Sequence, residues 1–204
     1  MDASERDLRY DELLESRSEL EAAGHEAEDL AAGLTGEQLW WRPGPEAWSV
    51  GECLDHLVRT GEAYLEVLDE AIEEGRRRGL RADRDYRPSL VGRWLPGFLE
   101  PPPGLKVPAP GSIRPRAPAP GDEERGDPEA NAGDPLAAFL DLRERFARRL
   151  RAADDLDISR IRVPSPFVPL LRFDLGAAFR VIAAHERRHL WQARRVREAE
   201  GFPG

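Results

Sequence analysis

Trp48-Ser49-Val50-Gly51-Glu52-Cys53-Leu54-Asp55-His56-Leu57, continuing to Leu68 and Ile72, is the stretch from which the fold is read. Ser49 precedes Glu52 by three positions, so each side chain can satisfy a backbone N–H at the start of a helix, and Trp48 can staple against Cys53. Val50, Leu54, Leu57, Gly61, Tyr64, Leu68 and Ile72 then recur every three or four residues, the period of one helical face. The stripe runs out in the polar stretch from Glu73 to Gly79. A long helix with one apolar face needs other helices to bury that face.

Those partners stand on either side. Upstream, Leu13, Leu20, Ala27, Ala31 and Leu34 share a helical face behind a cap-like Ser4-x-x-Asp7, and Gly33 and Gly36 end it. Thr35-x-x-Gln38 caps a short turn through Leu39, Trp40 and Trp41, which Pro43 and Pro45 stop. Downstream, Asp134-Pro135 is an N-cap with proline at the first helical position, followed by Leu136, Phe139, Leu140, Phe146 and Leu150. A proline-broken connection, Val163 to Pro169, leads to a last helix over about 175–200 with Ala178, Ile182, His185, His189, Gln192 and Val196 on one face. Four long amphipathic helices without strands predict an all-α four-helix bundle, one domain over residues 1–204.

Residues 79–133 interrupt this pattern as a proline-rich insertion between the second and third helices. Pro101-Pro102-Pro103, Pro108, Pro110, Pro115, Pro118 and Pro120 exclude helix interior, and the acidic part from Gly121 to Gly133 reads as mobile. Tyr86, Leu90, Val91, Trp94, Leu95, Phe98 and Leu99 are too apolar for a free linker. That part is expected to pack over the bundle as a roof, with the proline-rich tail as an excursion.

Charge and cysteine usage exclude several classes. The chain of 204 residues carries 30 basic against 39 acidic groups, net −9, which argues against nucleic acid as a partner. No apolar run is long enough for a membrane span, and no secretion signal opens the sequence. A single cysteine, Cys53, rules out an internal disulfide and a multi-cysteine metal site, and suits the cytosol. Cys53 reads as buried packing.

The four histidines carry the chemistry. His185 and His189 stand at i and i+4 on the apolar side of the last helix, a common first half of a metal site. His56 lies roughly 120° from the centre of its own stripe, on a flank that can face a neighbouring helix. Three imidazoles from two helices leave coordination positions open, as catalytic sites do. Zinc, nickel, copper and iron all suit such a set. His25 reads as a surface residue. His185-Glu186-Arg187-Arg188-His189 also matches the H-E-x-x-H pattern of metalloproteases. No third ligand follows at a suitable distance, however, and the two arginines predict a solvent face for Glu186. Glu52 is explained by capping.

Trp41-Arg42-Pro43, Trp48-Ser49-x-x-Glu52-x-x-x-His56 and His185-x-x-x-His189-x-x-Gln192 together resemble the DinB-like (DinB/YfiT) superfamily. The resemblance spans about residues 8–200. It implies a four-helix bundle of variant up-and-down topology with a divalent metal, nickel or zinc, held by His56, His185 and His189. It further implies a small-molecule substrate and transfer of a low-molecular-weight thiol to an electrophile. A metal-dependent hydrolase of a small amide or ester is the alternative, and a non-catalytic metal- or partner-binding bundle is the third reading. Gln192, one turn beyond His189, is the candidate for orienting a ligand or substrate. A homodimer through helix faces fits the fold.

Overall fold

A computed structural model describes residues 8–102, 113–115 and 134–204, among which the chain forms six helices and two short strands. The helices are α1 (Asp11–Ala31), α2 (Gly36–Trp40), α3 (Val50–Arg77), α4 (Leu90–Leu99), α5 (Pro135–Ala153) and α6 (Leu175–Arg197). The protein is all-α in class. None of the helices is long and apolar enough to cross a membrane.

The starts of α2, α3 and α5 follow the caps read from sequence. Thr35 and Gln38 close one capping box around α2. In the other, Ser49 Oγ accepts from the Glu52 N–H at 3.1 Å and Glu52 accepts from the Ser49 N–H at 2.9 Å. Asp134 accepts from the Leu136 N–H at 3.0 Å ahead of Pro135. The Ser4–Asp7 cap lies outside the described residues. α1 begins at Asp11 behind Tyr10, whose hydroxyl donates to the Leu156 carbonyl at 3.0 Å and ties the chain to the segment after α5.

α1, α3, α5 and α6 pack around a core that includes Leu13, Leu54, Leu68, Phe139, Phe146 and Phe179, all essentially fully buried. Ion pairs fix the relative directions. Glu12–Arg180 at 3.0 Å, Glu19–Arg187 at 2.9 Å and Glu26–Arg194 at 2.8 Å advance by seven residues on both helices, so α1 and α6 run the same way. Glu62–Arg145 and Asp69–Arg149 advance together on α3 and α5, which are therefore also parallel. Seven residues are two helical turns, so each pair returns to the same side of its helix.

α3 and α5 pack tightly at Gly61, where a Cβ would run into the fully buried side chain of Leu142. Gly61→Ala is expected to lower stability by about 1–3 kcal/mol, as overpacking does in a filled core. Urea unfolding checks this; a neutral change would show that α3 and α5 can separate without loss.

Two features depart from the sequence reading. Residues 162–164 and 172–174 form an antiparallel pair, with Val163 opposite Phe173, where no strands were expected. At three residues each they are too short to show an alternation, and Pro164 masks the first. The second is α4, a further helix beyond the four long ones that were read, within the stretch expected to pack over the bundle as a roof. Ser89 caps it by accepting from the Gly92 N–H at 3.2 Å, although Pro96 lies inside the helix. It packs along α6 through Gly92 and Pro96, whereas Leu90, Trp94 and Phe98 are more than two-thirds exposed.

Candidate metal centre

Packing of α3 against α6 brings His56, His185 and His189 together. One ligand nitrogen from each lies within 4.8 Å of the other two. His56 Nε2 and His185 Nε2 are 3.3 Å apart. Two nitrogens on one tetrahedral ion with bonds of about 2.05 Å stand about 3.3 Å apart, so this edge is compatible with a shared ion. The three rings pack at centroid separations of 4.5–5.2 Å, and the Trp48 ring closes over them, stacked on His189 at 5.5 Å and tilted on His56 at 4.8 Å. Trp48 was read only as a staple against Cys53. Its place over the site depends on the turn before α3, which periodicity does not report.

Burial dominates the electrostatics of the cluster. It pulls the His185 pKa down to about 3, helped by the neighbouring His56 and the charge of Arg188. Burial also holds His189 well below its ordinary value, with His185, His56 and Arg188 acting in the same direction and a hydrogen bond with Gln192 opposing them. For His56, burial lowers the pKa against the bond to the Ile113 carbonyl. Three imidazoles kept neutral are three available lone pairs. His189 Nδ1 is buried without a hydrogen-bond partner among the described residues, an arrangement that a bound cation relieves. The residues present fit a divalent ion.

The other candidates fall away from the site. Cys53 is fully buried, and burial pushes its thiol far above the ordinary range. Glu52 is held by Arg42 through both carboxylate oxygens as well as by its cap. His25 is exposed beside Glu28.

Glu186 corrects the sequence reading. It does not face solvent but is 3% exposed, paired with Arg143 of α5. Arg143 is itself 9% exposed and lies over the rings of Phe139 and Phe146 at 4.7 and 5.2 Å. The middle of α6 is covered on more sides than the two adjacent arginines suggested. Bound to Arg143, the Glu186 carboxylate is not a free base for the H-E-x-x-H chemistry.

Ile113 is the residue that sequence reasoning missed. It comes from the proline-rich tail that was read as an excursion, yet its carbonyl oxygen lies 2.6 Å from His56 Nδ1. No residue-type signal announces such a contact, because every residue carries a carbonyl.

Neither the curated proteins nor the solved structures contain a match to this chain. The family model described as the DinB superfamily matches residues 19–193, and with most of its length covered the chain belongs to that superfamily.

Proposed function

We propose that the protein holds one divalent ion, nickel or zinc, through His56, His185 and His189, and joins a low-molecular-weight thiol to a small electrophile. A cation there supplies charge that lowers the pKa of a thiol or water brought to it. The observation that carries the reading is the composition of the site: three neutral imidazoles and, among the described residues, no nucleophile or base beside them that is not already engaged. Cys53 is sealed in the core, and Glu52 and Glu186 are each bound to an arginine. The attacking group therefore arrives with a substrate. With its charge met by the cation, a thiol would release its S–H proton to solvent without a carboxylate base, and its sulfur would bond to the electrophilic atom. Gln192, bonded to His189, orients that ring, and Trp48 excludes water from one side of the cluster. The net charge of −9 supports a small molecule rather than nucleic acid as partner, and a reducing cytosol suits a thiol co-substrate.

The test begins with metal content in protein purified without an affinity tag and reconstituted with zinc or nickel. About one ion per chain is expected, lost in a His185→Ala, His189→Ala variant. The loaded protein is then assayed for metal-dependent consumption of low-molecular-weight thiols with an electrophile panel, and for hydrolysis of small esters and amides. Hydrolysis without thiol consumption would replace the transferase reading by the hydrolase one. Stoichiometric metal without turnover of either kind would leave a binding bundle, and no metal uptake would overturn the centre.

A further inference from the structure

Ile113 stands 57 residues from His56 along the chain, between stretches rich in proline, and meets it at 2.6 Å. A carbonyl oxygen can only accept, so in this bond His56 Nδ1 carries the proton. In the neutral ring the lone pair is then on Nε2, the atom 3.3 Å from His185 Nε2. The Nδ1–H form is the less favoured tautomer of a free histidine side chain, so something must hold it. Ile113 is 7% exposed although it does not join the contiguous apolar core, and the next residue, Arg114, is exposed. The side chain is an anchor seated away from the main core, and the carbonyl beside it meets the ring.

We propose that Ile113 is a positioning residue for the metal centre. Its buried side chain docks the returning chain, and its carbonyl fixes His56 in the tautomer and ring orientation that present Nε2 to the cation. This rests on the three-histidine reading above. It adds that docking of the Ile113 turn and uptake of metal favour one another, since each stabilises the same state of His56.

The test uses the full chain, with Ile113→Gly to remove the anchor and Ile113→Val to keep it. Far-UV circular dichroism and thermal unfolding verify that both variants fold. Nitrogen-15 NMR of the metal-free protein near pH 7.5 reads the His56 tautomer. The wild type and Ile113→Val are expected as Nδ1–H, and Ile113→Gly as Nε2–H. Zinc competition against a chromophoric chelator should give about 10- to 100-fold weaker binding in Ile113→Gly, the usual effect of losing a ligand's outer hydrogen bond. Ile113→Val should stay close to wild type.

An Nε2–H His56 in the metal-free wild type would overturn the proposal, as would wild-type zinc affinity in Ile113→Gly. Failure of the wild type to bind zinc or nickel would overturn the metal centre and the linkage built on it. The tautomer measurement then still decides the Ile113–His56 bond, so the two failures are distinguishable.

Discussion

Glu186→Ala is expected to destabilise the protein by about 3–5 kcal/mol, because it leaves the buried guanidinium of Arg143 without its counter-charge. Only one nitrogen of that guanidinium is paired; Nε and Nη2 have no hydrogen-bond partner among the described residues. The aromatic faces of Phe139 and Phe146 offset part of the desolvation, at about 1–2 kcal/mol, which is less than the loss. Replacing both partners by apolar residues of similar shape, Arg143→Met with Glu186→Leu, should recover most of the stability, since no charge is then buried. Urea unfolding of the two single variants and the double variant checks this. A small loss in Glu186→Ala, with metal affinity or turnover abolished, would instead return Glu186 to the site.

The metal-free protein is expected to lose stability steeply as pH falls below about 6.5, before ordinary carboxylates begin to titrate. In the unfolded chain the three histidines take up protons near that pH. In the folded chain burial prevents it, for His185 down to about 3. The unfolded state then binds more protons, so the contribution is fully present above pH 6.5 and is lost on the way down. Each histidine held neutral costs about 1.4 kcal/mol per pH unit, so His185 and His189 together cost about 3, and His56 adds in the same direction. Between pH 7 and 5.5 the loss is therefore a substantial part of an ordinary domain's 5–15 kcal/mol. Denaturant unfolding across this range reads it, and a His185→Gln, His189→Gln variant should show a much flatter profile. Equal slopes in the two proteins would refute the account of the cluster as desolvated neutral imidazoles.

What could be read from the residues was what is decided locally. Ser49 and Glu52 are three positions apart and needed nothing else to mark the start of α3. His185 and His189 share a helix, so their common side follows from the period alone. His56 could be placed only on a flank, and the α3–α6 contact decided the rest. The misreadings depended on a distant partner, on too short a signal or on prolines that resemble loop. Glu186 required Arg143, 43 residues away on α5, before its burial made sense. α4 was hidden because Pro96 and the prolines around it resemble loop. The Ile113 contact uses a backbone atom and has no residue-type signature.

The parallel run of α3 and α5 constrains how short this protein can become. A helix of 28 residues spans about 42 Å, and the chain leaving Arg77 must travel back over most of that length before Pro135 can start beside the first half of α3. Fully extended polypeptide needs about 12 residues for such a journey. A deletion confined to 116–133 leaves more than this minimum and is expected to keep the helices in register, whereas a tight turn in place of the whole connection would reverse α5 and separate Arg145 from Glu62 and Arg149 from Asp69. A return span of at least about 12 residues is thus dictated by the direction of two helices, and Ile113 places one point of the longer connection beside the histidines.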